Sequence, residues 1–104
     1  MQIREFQARI ERLYGEKDRA RGTAGTFLWF AEEVGELASA LNKGAAHGPL
    51  AAEFADVLAW LATLASLAGV DLEEAAAKYG EHCPKCRHAP CRCQEPVRSP
   101  APRA

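Results

Sequence analysis

Apolar positions along the chain recur three and four residues apart, which is the spacing of helices rather than of strands. Ile3, Phe6, Ile10 and Leu13 make the first such series, with Arg and Glu between them, and predict a helix over residues 2–14. The stretch Tyr14 to Gly25 is polar. It either extends that helix to Arg21 or serves as a connector, and Gly22 and Gly25 mark a break. A second helix is expected from Thr26 to Lys43, with Thr26 as N-cap and Gly44 as the residue just past its end. After a loop at 44–48, Pro49 suits the first turn of a third helix, which reaches Ala68 and is stopped by Gly69. Asp71 with Glu74 resembles a capping box and opens a short fourth helix to Tyr79. Residues 80–93 have no periodicity, and no strand pattern appears anywhere. The expected class is all-α.

The faces of these helices are unequal. In the second, Phe27, Phe30, Val34, Leu37 and Leu41 form an apolar stripe, and Trp29, Glu33 and Glu36 lie on a face beside it, while Glu32 points the other way. The third helix is apolar almost all round, the mark of a buried helix. Its polar exceptions, Glu53, Asp56 and Thr63, share one side with Trp60. No Lys or Arg occurs between residues 44 and 77. A buried carboxylate needs a cation, a metal or a proton. If Glu33 and Glu36 face Glu53 and Asp56, four like charges converge, and a hard divalent cation resolves the conflict. Mg²⁺ or Mn²⁺ takes oxygen ligands and keeps waters, which leaves room for phosphate oxygens. The competing reading, four solvated surface charges, fits an isolated E-x-x-E better than it fits acids in so apolar a surround.

Length and charge narrow the field. At 104 residues the chain is one small domain, and a domain of this size buries little of its surface, which favours oligomers. A net charge of −1 supplies no basic field for nucleic acid. There is no uninterrupted apolar run of ~18 residues, and the N-terminus lacks the core of a signal peptide. The expectation is a cytoplasmic protein with no membrane span. All four cysteines fall between positions 83 and 93, as C-x-x-C, four residues, then C-x-C. In a reducing compartment this reads first as a structural tetrahedral Zn²⁺ site formed by Cys83, Cys86, Cys91 and Cys93, with His82 and His88 as substitutes for one cysteine. Free thiols, a redox C-x-x-C and an iron–sulfur cluster are the other readings. The expected layout is a helical domain at 1–80, a metal knot at 81–93 and a disordered Pro-rich tail at 94–104.

E-E-V-G-E-L-A at 32–38, and E-x-x-D at 53–56 followed by V-L-A-W-L, together resemble the MazG-like nucleotide pyrophosphohydrolases of the all-α NTP pyrophosphatase superfamily. The resemblance covers about residues 1–80. It implies a four-helix unit that assembles into dimers or tetramers, with Glu33, Glu36, Glu53 and Asp56 as Mg²⁺ ligands. It also implies hydrolysis of nucleoside triphosphates, deoxy or atypical-base ones among them, to monophosphate and pyrophosphate. Glu33 or Glu36 is the expected group that orients or deprotonates the attacking water. Trp29 and Trp60 could wall the site and stack on a base. Lys43 and Lys78 could reach phosphates, with Arg19 and Arg21 as weaker candidates. A phosphoribosyl-ATP pyrophosphohydrolase is a rival within the superfamily. A non-catalytic helical module with a zinc knot is the rival from another class, and pyrophosphate release distinguishes it.

Overall fold

A computed structural model describes residues 1–96. Its elements are α1 (Ile3–Lys43), α2 (His47–Leu67) and α3 (Leu72–Ala76), with no strand among the described residues. The first two expected helices are therefore one element, but the break falls where glycine marks it. Gly22 has φ 82° and ψ 174° and divides α1 into two arms, 3–21 and 23–43. A residue with a Cβ adopts such a φ only under strain, whereas glycine does so freely. Because helical geometry resumes directly after Gly22, Thr26 is not an N-cap. It is fully buried inside the second arm, where its Oγ1 accepts from Arg21 at 3.2 Å.

The remaining helix ends follow their sequence signals. Gly44 sits in the left-handed region at φ 65° after the last turn of α1. Gly69, at φ 72°, follows the end of α2 in the same way. Both positions satisfy the last carbonyls of the preceding helix, as this cap does generally. The helix α2 begins two residues before Pro49. The Asp71 side chain accepts from the amides of Glu73 and Glu74 and so caps α3, which ends at Ala76 rather than Tyr79.

Both arms of α1 run antiparallel to α2. The first arm covers the C-terminal half of α2: Gln7 donates to Ser66 Oγ at 3.1 Å and to the Val70 carbonyl at 2.8 Å, and it accepts from the amide of Leu72. Arg4 pairs with Asp71 and Glu73, both at 2.8 Å, and its hydrogen bond holds the Asp71 carboxyl below the usual range. The second arm covers the N-terminal half of α2, where the Trp29 and Trp60 rings meet.

The all-round apolarity of α2 predicts burial, and within one chain that burial is incomplete. Ala62, Thr63 and Ala65 are buried, yet Phe54 is 52% exposed and Leu58 46%. A single bent partner helix covers only one side of α2. On α1, Phe27, Leu28 and Leu41 are likewise open. By length and composition α2 also passes as a membrane span, with an 18-residue window of mean hydropathy 1.5. The search for an uninterrupted apolar run missed this because Glu53 and Asp56 interrupt the series. Such charges cost about 2.5–3.5 kcal/mol each at the centre of a bilayer, and the core helix of a soluble assembly passes the same test. Residues 94–96 are exposed and belong to no element, and the rest of the tail expected to be disordered lies outside the described residues.

Candidate active site

Three acids from two elements meet. Glu33 on the second arm of α1 and Glu53 and Asp56 on α2 each offer an oxygen within 4.8 Å of the others. The i, i+3 spacing of Glu53 and Asp56 puts both on the side of α2 that the second arm faces. The Oε2 atoms of Glu33 and Glu53 are sealed from solvent and have no hydrogen-bond partner. Among the described residues no Lys or Arg forms an ion pair with any of the three. Glu36, one turn further along α1, is exposed and stands outside the trio. Its charge still reaches Glu33, whose pKa is raised first by burial and then by Glu36, Asp56 and Glu53 in that order. Orphaned carboxylate oxygens on facing helices are the donor set of a hard divalent cation, so the residues fit Mg²⁺ or Mn²⁺.

Beside the acids lies a cavity of about 360 Å³ that runs from Asp56 past Trp60 to Thr63 and is closed on the other side by Tyr14, Lys17, Asp18 and Arg21 of the first arm. Its size is in the range that takes a small-molecule ligand. Trp60 forms one wall. Its ring stacks on Trp29 with centroids 5.9 Å apart and planes 7° from parallel, and the Arg21 guanidinium lies 4.9 Å from its centroid. Lys43 is exposed at the end of α1, and Lys78 lies in the turn after α3 with its ammonium 5.0 Å from the Tyr79 ring. Neither lines this cavity. Arg19 pairs with Glu11 instead. The cations at the cavity are Lys17 and Arg21. Lys17 and Asp18 are not among the residues the sequence singles out, because the polar stretch after Tyr14 reads equally as helix or connector. The signal was there: Ile10, Tyr14, Lys17, Asp18 and Arg21 form one stripe at helical spacing.

The cysteines are gathered separately. The sulfurs of Cys83 and Cys93 are 3.8 Å apart, those of Cys86 and Cys91 are 3.9 Å apart, and all four lie within 4.8 Å of one another. A disulfide requires about 2.0 Å, whereas ~2.3 Å bonds to a tetrahedral ion set sulfurs about 3.8 Å apart. Neither His82 nor His88 is a member of the group. A tight turn carries Cys83 and Cys86: Arg87 has φ 64° and donates its amide to the Cys83 carbonyl at 2.7 Å. The amide of Arg92 points at the Cys86 sulfur from 3.3 Å and that of Cys93 at the Cys91 sulfur from 3.3 Å. The amides of Arg92 and His88 pull the Cys86 thiol down to about 5, while the neighbouring thiols, Cys91 foremost, push Cys93 up to about 12. A site that favours thiolates at one corner and resists the last ionisation at another fits a cation bound at its centre.

The family model for the MazG nucleotide pyrophosphohydrolase domain matches residues 22–87, more than half of the chain. No curated protein matches it. The matched segment contains all four acids and both tryptophans. The first arm of α1, Cys91 and Cys93 lie outside it.

The raised pKa of Glu33 has a testable sign. The protonated form is favoured in the folded chain, so its stabilising contribution is full below the ordinary glutamate value near 4.3 and is lost as pH rises through the raised value. In a chelator at about pH 7, Glu33→Gln should therefore melt above the wild type by a few degrees, and the gap should close below about pH 4. Adding Mg²⁺ or Mn²⁺ should raise the melting temperature of the wild type but not of the variant. Identical melting curves under all these conditions would contradict both the strain at Glu33 and the cation that relieves it.

Proposed function

The chain belongs to the MazG nucleotide pyrophosphohydrolase family, and from that premise we propose that it hydrolyses a nucleoside triphosphate between the α and β phosphates, giving the monophosphate and pyrophosphate. The observation that carries the reading is the pair of sealed, unpartnered oxygens on Glu33 and Glu53, next to Asp56, which lines a ligand-sized cavity. Glu33, Glu53 and Asp56 would hold Mg²⁺ or Mn²⁺. A divalent ion there would neutralise phosphate charge and make water a better nucleophile. Glu36, the acid left outside the trio, orients the attacking water and takes its proton. The nucleoside occupies the cavity against Trp60 and Tyr14, with Lys17 and Arg21 supplying the positive charge at its rim. Catalysis is then mainly a matter of positioning and electrostatics, as phosphoryl transfer requires.

Pyrophosphate release from a panel of nucleoside triphosphates, with and without Mg²⁺, tests this directly. Glu36→Gln should lower kcat at least about a hundredfold, the scale of a lost general base, with unchanged circular dichroism. Glu53→Gln or Asp56→Asn should remove the response to Mg²⁺. Near-wild-type turnover in these variants would sink the assignment, and no pyrophosphate from any nucleotide would favour a non-catalytic helical module.

We infer that the chain works as a homodimer or homotetramer. Phe27, Leu28 and Leu41 on α1 and Phe54, Leu58 and Leu61 on α2 leave more apolar surface open than a small soluble monomer tolerates. A second copy presenting the same surface covers it. Light scattering should return a multiple of 11.3 kDa, and Phe54→Glu should lower it. A wild-type particle of 11.3 kDa at micromolar concentration would remove the inference.

We infer that Cys83, Cys86, Cys91 and Cys93 would hold zinc as a structural ion, in keeping with a cytoplasmic, reducing setting. One zinc per chain is expected by elemental analysis, and Cys86→Ser should lose it. Hydrogen exchange in residues 81–93 should rise on chelation while the helical content holds. Zinc-free protein, or protein with the absorption of an iron–sulfur cluster, would overturn the assignment.

A further inference from the structure

The buried group that the proposed chemistry leaves unused is Asp18. It is 3% exposed, and both of its oxygens are engaged. Oδ1 accepts from Arg21 Nη1 at 3.0 Å and Oδ2 accepts from Thr63 Oγ1 at 3.1 Å. The same Arg21 nitrogen donates to Thr26 Oγ1 at 3.2 Å. One carboxylate thus ties together the first arm of α1, the C-terminal part of α2 and, through Arg21, the second arm beyond the Gly22 kink. Arg21 in turn lies 4.9 Å from the Trp60 ring centroid, and Trp60 stacks on Trp29. The chain of contacts runs from a buried acid to the wall of the cavity. It stops one helical turn short of Asp56 on α2 and one turn short of Glu33 on α1.

Stability does not explain such an arrangement. A buried ion pair is often no more stabilising than apolar residues of the same shape, because both charges must be stripped of water. What the pair provides is orientation. A guanidinium is planar and forks in fixed directions, so two acceptors fix where its face lies. Its face then settles on an indole, where the cation–π attraction is strongest among the aromatic rings. Without Asp18 and Thr26, only the cation–π attraction would hold Arg21 on Trp60 against solvent and the pull of the acids.

We propose that Asp18 is a positioning residue of the nucleotide site, acting through Arg21 to hold Trp60 in the place where the nucleoside meets it. The proposal rests on the reading of the cavity as the nucleoside's seat. It concerns residues of the first arm, which lie N-terminal to the segment 22–87 that matches the family. Asp18 touches neither the acid trio nor the phosphates. It sets the shape of the pocket before a ligand arrives, and its loss is felt in binding rather than in bond cleavage.

The experiment is Asp18→Asn in the full chain. The amide keeps the size of the carboxylate but turns one acceptor into a donor that faces either Arg21 or Thr63. The triphosphate best hydrolysed by the wild type is the probe. KM should rise on the order of tenfold, the scale of a charge-assisted hydrogen bond, with kcat within about twofold and the Mg²⁺ titration unchanged, the pattern of lost uniform binding. The chain's two tryptophans are the stacked pair itself, so intrinsic fluorescence reports on the network directly, and the emission maximum should shift in the variant. Arg21→Lys should give the same pattern more weakly, and Arg21→Met at least as strongly. Should Asp18→Asn not fold, Thr63→Val breaks one of its two bonds and should move KM and emission in the same direction. A lower melting temperature with unchanged KM and unchanged emission means a merely structural role and overturns the proposal, and so does a fall in kcat at constant KM. If the wild type cleaves no nucleotide, the parent reading fails first, and an unshifted emission maximum in Asp18→Asn overturns the positioning role independently.

Discussion

Two carboxylate oxygens sealed from water with nothing to bond to, Glu33 Oε2 and Glu53 Oε2, set the terms for the rest of the molecule. Removing a charge from water without a partner is among the more expensive acts in folding, and a group so placed usually takes up a proton. Glu33 shows that pressure, its pKa driven up by burial and by four neighbouring acids. A fold that wanted only stability would place a lysine across from it. This chain has no Lys or Arg between residues 44 and 77, so α2 carries its acids into the helix interface without any counter-charge of its own. The α1–α2 packing holds the conflict in place, and a divalent cation would remove it.

The geometry around that conflict comes from a single backbone position. Gly22 lets α1 bend without ending, so one helix lies along two halves of α2. The second arm brings Glu33 to Glu53 and Asp56, and the first arm closes a cavity against Trp60 and Thr63. A straight α1 would satisfy the first requirement and miss the second. The paired tryptophans follow from helical spacing. Trp29 lies four residues before Glu33 and Trp60 four after Asp56, so when antiparallel packing aligns the acids it also aligns the rings.

Local signals of this kind were legible in the amino-acid order. The break at Gly22, the caps at Gly44 and Asp71, and the grouping of acids on facing helical sides all come from spacing or from the chemistry of one residue type. What could not be read depended on surfaces meeting in space. Thr26 resembles an N-cap in sequence, but continuation of the helix past Gly22 buries it under Arg21. Asp18 looks like any acid in a charged run until Thr63, 45 residues away, is brought to it. Three of the four expected acids converge and Glu36 stays outside, a difference of one helical turn that a wheel cannot resolve. The exposed flank of α2 is the reverse case. The apolar pattern states that the helix wants cover, but one chain does not supply enough of it.

The chain presents two clusters of metal-binding groups, and their chemistry keeps them apart. Raw affinity does not distinguish them, since the order of divalent-ion affinities is much the same at nitrogen, oxygen and sulfur sites. Ligand type and geometry do the sorting. Four sulfurs at 3.8–3.9 Å across paired corners suit a small tetrahedral ion and are too soft for magnesium. Three carboxylates with an open side suit an ion that keeps its waters and accepts phosphate oxygens. The knot lies after the last helix and makes no hydrogen bond to the helical body among the described residues. A metal at the knot would therefore leave the packing around the carboxylates undisturbed.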